Sequence, residues 1–231
     1  MFPIPIATKN LLLACVALAC LDQLLPRGWL QTWFAFWPIG SGRFMPWQLL
    51  SYALLHGSVT HLLLNMLGLW MFGSELEKLW GPRRYLQFLA VAAITGAGAQ
   101  MVVTAVMGST HAMVGASGAV YGLLLAYAMS FPEREFELVG SLPILLIALP
   151  SPTLQMLGFV LFVVMSTNRR MIPIPPVYVR ALVMVSIFGA IELFLGLFVH
   201  TGIAHFAHLG GMLGGWLMMA FWRGNWRSGR R

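Results

Sequence analysis

The sequence predicts an all-α polytopic membrane protein, a six-helix bundle with an extra apolar, re-entrant insert between the fourth and fifth helices. Three observations carry that expectation. The 231 residues are 59% hydrophobic and 9% charged, with a mean hydropathy of +0.80, more apolar than a soluble domain of this length needs for its core. Apolar stretches long enough to cross roughly 30 Å of hydrocarbon follow one another with short polar breaks, so a single membrane domain over 1–231 is expected. The basic residues fall between these stretches rather than in one patch, so the net charge of +7 speaks for membrane topology and against a nucleic-acid partner.

Taken in order, helices are expected at about 9–25, 49–72, 85–107, 116–131, 178–199 and 203–222. The first run follows Lys9 and ends Ala-Leu-Ala-Cys-Leu-Asp. It looks superficially like a signal peptide but is expected to be a transmembrane helix. Its two cysteines, Cys15 and Cys20, match neither a metal spacing nor a disulfide framework and are expected as buried thiols. The loop from Asp22 to Gln48 carries Trp29, Trp33, Phe34, Phe36, Trp37 and Trp47, a composition suited to the lipid–water boundary.

Between the fourth and fifth helices lies Leu138–Asn168, apolar but broken by Pro143, Pro150 and Pro152 and followed by Arg169 and Arg170. As a single span it would invert everything downstream. A re-entrant hairpin turning at Pro150-Ser151-Pro152 preserves the arrangement. With both termini cytoplasmic, Arg27 and Arg43 are then the only ones of the 14 Lys and Arg residues on the outer side.

Polar and ionisable residues inside apolar spans are costly, and each defaults to a functional or pairing role. Three groups qualify: His56, His61 and Asn65 in the second span; Gly115-Ala116-Ser117-Gly118 with Tyr121 at the start of the fourth; and His205 and His208 in the sixth. His61 and Asn65, four apart, share one helix face, where both can donate hydrogen bonds. For an isolated His or Asn in a membrane helix, plain interhelical hydrogen bonds are the commoner outcome. Ser117 falls in the first turn of a helix, whose amides lack intrahelical partners and suit an oxyanion. Gly-x-Ser-Gly is weak evidence alone, because small residues also serve close packing. Gly118 and Gly122 in the fourth span and Gly210, Gly211, Gly214 and Gly215 in the sixth give Gly-x-x-x-Gly spacings. These predict close approach of the two helices, which would bring a serine hydroxyl and an imidazole within reach.

Together, His61-x-x-x-Asn65, Gly115-Ala116-Ser117-Gly118-x-x-Tyr121 and Ala207-His208-Leu209-Gly210-Gly211-x-x-x-Gly215 resemble the signature set of the rhomboid intramembrane proteases, in the same order along the chain. The resemblance covers a core of about 45–222, departs at the insert of about 138–168, and includes Glu77 in a turn and Gly81 after the second span. It implies a serine endopeptidase with Ser117 as nucleophile and His208 as base. The oxyanion would be held by the Ser117 amide with His61 and Asn65, and Gly115 and Tyr121 would support the site, Tyr121 packing on the His208 ring. A dyad without a third acidic member is implied, and Glu192 is expected only to pack or pair. His205 is expected at the cavity rim and His56 in a structural role. Transmembrane proteins in the lipid bilayer are the implied substrates, at an inner membrane with the site opening outward, and no metal or organic cofactor is implied. Two other classes compete: a rhomboid-like binder of membrane helices without proteolysis, which retention of both Ser117 and His208 disfavours, and a histidine-lined channel, for which intramembrane carboxylates at pore-like spacing are lacking.

Overall fold

The computed structural model describes residues 3–148, 151–167, 174–199 and 204–228. Pro150 of the expected turn, Asn168, Arg169, Arg170, Arg230 and Arg231 lie outside the described residues. Ala128–Phe188 forms one compact unit, and the remaining described residues form another.

The larger unit opens with α1, Ile6–Leu24, whose first turn contains no acidic residue to satisfy its free amides. A distant side chain does so instead. The buried carboxylate of Glu77 accepts hydrogen bonds from the Ala7 and Thr8 backbone N–H groups at 2.9 and 2.7 Å and from the Thr8 hydroxyl at 2.8 Å. A carboxylate at a helix N-terminus also meets the positive end of the helix dipole. Glu77 therefore sits inside a helix and clamps α1, rather than lying in a turn after the second span.

A short helix α2, Trp29–Phe34, begins the loop expected at the lipid–water boundary. Trp29, Trp33, Phe34 and Trp47 are exposed there. Phe36 is not. It is fully buried, pairs backbone to backbone with Met113, and belongs to a core cluster with Tyr52, Ala93, Ala97 and Ala207. Gln48, also fully buried, accepts hydrogen bonds from the amides of Trp37 and Met45 and donates to the carbonyls of Trp33 and Arg43. It leads into α3, Gln48–Ser51, and a tight turn at Tyr52–Leu54.

The second span starts later than hydropathy suggests. Ser58 caps α4, Val59–Gly68, by accepting the His61 amide at 3.1 Å. The helix continues through a wide turn at Leu69–Gly73 into α5, Ser74–Trp80. His56 therefore lies in the connection before the helix. The next helix, α6, spans Pro82–Met107 with Pro82 in its first turn and Gly108 at φ +66° closing its C-terminus. Then come α7, Ser117–Ser130, and, after the smaller unit begins, the elements described next. The larger unit is completed by the end of α10, Ala181–Phe198, and by α11, His205–Ser228.

In the smaller unit two strands, absent from an all-α expectation, pair antiparallel: β1, Glu135–Glu137, and β2, Tyr178–Arg180. Between them lie α8, Leu138–Ala148, which tolerates Pro143 inside it, and α9, Pro152–Thr167. The two helices pack closely, Gly158 resting against the Pro143 carbonyl and Ile147. With Glu135 opposite Arg180 in the strand register, the segments that flank 138–177 lie side by side. The strand also delays the fifth helix, which starts at Ala181 rather than 178.

Among the described residues, α1, α6 and α10 are long and apolar enough to cross a membrane, and α7, α8 and α9 are shorter apolar helices. Large apolar side chains such as Leu13, Val102, Val106, Phe194 and Leu213 stand exposed. Hydrocarbon accommodates such a surface and water does not. The fold is that of an all-α membrane protein with one small strand pair.

Candidate active site

Four elements of the larger unit bring polar side chains together: α4, the start of α7, the second half of α10 and the first turn of α11. Glycines set the spacing. A Cβ on Gly211 would fall 1.9 Å from the Gly118 carbonyl oxygen, and one on Gly122 would fall 2.8 Å from the Gly211 oxygen. On the neighbouring side of α11, Gly210 and Gly214 lie against Thr95 of α6 in the same way. Helices so close leave no room for side chains between their backbones, and groups at their ends meet directly.

At that meeting point Ser117 Oγ lies 2.8 Å from His208 Nε2. Ser117 is the first residue of α7, so its amide and the two that follow have no partners within the helix. Tyr121, one turn on, lies flat against the His208 ring with centroids 4.4 Å apart and planes 5° apart. His208 is 7% exposed and held on that face.

His61 approaches from α4. Gly115 has φ +122°, a backbone shape that side chains disfavour. A Cβ there would lie 2.5 Å from the His61 ring, so glycine is required both by the turn and by the imidazole pressed against it. His56 also meets His61, the two rings edge-on with centroids 5.2 Å apart. Asn65 is buried, with its Nδ2 donating to the His61 carbonyl at 2.8 Å. One amide N–H remains for another acceptor.

Two expectations change. His205 is no rim residue: it is 4% exposed, with its Nδ1 2.6 Å from Glu192 Oε2. Glu192, expected to pack or pair, does pair, and its neighbours include His208 as well as His205. Its Oε2 also stands 3.0 Å from His208 Nδ1, and its Oε1 accepts a short hydrogen bond from the Tyr121 hydroxyl. An acidic group is thus present beside the contact between Ser117 and His208. The only advance signal was that Glu192, His205 and His208 are ionisable groups in apolar spans, each needing a partner.

A profile of the Rhomboid domain matches residues 43–158 and 151–225. The Rhomboid protease GlpG of Yersinia enterocolitica is 30% identical over 137 residues, which cover 59% of this chain and 47% of that protein. The Rhomboid protease GlpG of Yersinia pestis, strain Pestoides F, is 31% identical over 138 residues with the same coverage of each chain. The chain spans about half the length of these relatives.

Proposed function

Because the chain belongs to the rhomboid family, we propose that it is an intramembrane serine endopeptidase, hydrolysing peptide bonds in or near transmembrane segments of other membrane proteins. The observation that carries this reading is the 2.8 Å contact between Ser117 Oγ and His208 Nε2. In the mechanism it supports, His208 Nε2 takes the hydroxyl proton as Ser117 Oγ attacks the scissile carbonyl. The tetrahedral intermediate collapses as His208 returns that proton to the leaving amine. Water, activated by the same base, then hydrolyses the acyl-enzyme.

The oxyanion is assigned to the Ser117 amide, the His61 side chain and the free N–H of Asn65. Support comes from their convergence: His61 leans on Gly115, two residues before the nucleophile, and Asn65 is anchored to the His61 backbone. Such donors act strongly when they are organised in advance where the charge develops. A substrate helix with every amide satisfied cannot be attacked, so cleavage requires a segment that unwinds locally.

We assign the topology on charge: six spans of the rhomboid type, cytoplasmic termini, the site opening to the outer face of an inner membrane, and α8–α9 as a re-entrant hairpin. The pairing of β1 with β2, which brings the chain back beside its starting point by Tyr178, supports that hairpin. The test is cleavage of a fluorescent transmembrane substrate by the purified protein in liposomes. Wild type should cut, and Ser117→Ala and His208→Ala should lose at least about 10³-fold in kcat. Wild-type silence across substrates of varied sequence would instead favour a helix-binding protein without proteolysis.

A further inference from the structure

The dyad leaves one side of its base unexplained. A neutral imidazole has one donor and one acceptor nitrogen, so His208 can accept the Ser117 proton at Nε2 only when Nδ1 carries the other hydrogen. That Nδ1 is buried, and among the described residues no hydrogen bond is aligned on it. Glu192 Oε2 stands 3.0 Å from it, off the line of the N–H.

We propose that Glu192 is the third member of the site, a positioning acid that fixes the Nδ1–H tautomer of His208 and balances the imidazolium formed when Ser117 attacks. The proposal rests on the proteolytic reading above. Three features carry it. The carboxylate stands on the Nδ1 side of a ring whose Nε2 faces the nucleophile, the arrangement that lets an acid act through its histidine. The carboxylate is itself 7% exposed and held from two directions, by the Tyr121 hydroxyl on Oε1 and by His205 Nδ1 on Oε2. Its position is therefore set before substrate arrives. Finally, Tyr121 stacks on the His208 ring while binding Glu192, so one side chain fixes both the plane of the base and the place of its acid. A small rotation of His208 aligns the Nδ1–H with Oε2 as charge develops, and catalytic contacts commonly tighten in this way on leaving the resting state.

The same three side chains, Glu192, His205 and His208, have metal-ligand chemistry, but the distances argue for a direct charge network. Donors around a tetrahedral zinc ion sit roughly 3.3 Å apart, whereas His205 and His208 approach the carboxylate oxygen at 2.6 and 3.0 Å.

The test compares full-length wild type, Glu192→Gln and Glu192→Asp in liposomes, reading kcat and KM on a fluorescent transmembrane substrate. In parallel, the imidazole nitrogen resonances of His208 are read in detergent. Glutamine presents an N–H to Nδ1 and favours the wrong tautomer, a change worth about 10⁴-fold in a serine-protease triad. For a contact that begins off line we expect kcat to fall at least about 10²-fold with KM within about threefold. Aspartate should restore part of the loss. The wild-type resonances should show Nδ1 protonated and Nε2 bare at high pH, with the reverse in Glu192→Gln. A wild-type His208 protonated on Nε2 overturns the proposal even if the variants fold poorly. So does Glu192→Gln turning over within about threefold of wild type. A wild type that cleaves nothing, while His208 shows the expected tautomer, sinks the proteolytic reading instead.

Discussion

Gly211→Ala tests whether the glycine contact between α7 and α11 is what brings His208 and Ser117 together. The added Cβ would lie 1.9 Å from the Gly118 carbonyl oxygen, 2.5 Å from its carbonyl carbon and 3.0 Å from its Cα. All three are backbone atoms, so no side chain can swing aside. Restoring ordinary contact near 3.4 Å requires the helices to part locally by about 1.5 Å. Ser117 is the residue beside Gly118, so most of that shift falls on the 2.8 Å contact with His208 and moves it beyond hydrogen-bond reach. A displacement of about 1 Å at a reacting pair costs on the order of 10²-fold in rate. The control is Gly98→Ala on α6, where a Cβ meets nothing within 4 Å and the better helix former should stabilise by about 0.5–1 kcal/mol. Both variants would be assayed for kcat on a transmembrane substrate and for thermal unfolding in detergent. We expect Gly211→Ala to lose about 10²-fold or more and Gly98→Ala to keep full activity. Equal activity in the two would refute the claim that this helix contact sets the catalytic distance.

Gly115→Ala, strained at φ +122° and driven into the His61 ring, should lower kcat by about 10²–10³-fold, the usual loss of one oxyanion donor. Gly57→Ala, with only Val114 at 3.8 Å, should be neutral in the same assay. Glu77→Gln places an amide against three donors on Ala7 and Thr8 and should cost about 2–4 kcal/mol of stability. Thermal unfolding in detergent and faster hydrogen exchange over α1 would register that loss, and unchanged exchange in α1 would show that the clamp is dispensable.

What the sequence disclosed and what it concealed divide along the range of the interactions. His61 with Asn65, Gly115-Ala116-Ser117-Gly118, and His208 ahead of its spaced glycines are local patterns, and the structure sets Ser117 2.8 Å from His208 and the His61 ring against Gly115. The Glu77 clamp and the Glu192 network are not local. Glu77 binds residues about seventy positions away, and Glu192 meets Tyr121 across 71 positions and His205 across 13. No periodicity encodes such pairings, although the cost of charge in hydrocarbon makes some pairing necessary. Boundaries were blurred for a different reason. Apolar residues before Ser58 continue the hydropathy of α4, so the Ser58 cap was hidden within an apparent span. Composition marks the aromatic loop as interfacial, yet Phe36 turns inward where its backbone pairs with Met113. The strand pair around the insert, three residues a side, is too short for alternation to show.

The most direct test of the central claim is mass-spectrometric mapping of a fluorophosphonate adduct on the protein in detergent. This reagent reacts with a serine hydroxyl only when a base activates it. A single adduct on Ser117, abolished in His208→Ala, is the predicted result. Absence of labelling at Ser117 in the wild type, or undiminished labelling in His208→Ala, would contradict the assignment of Ser117 and His208 as nucleophile and base.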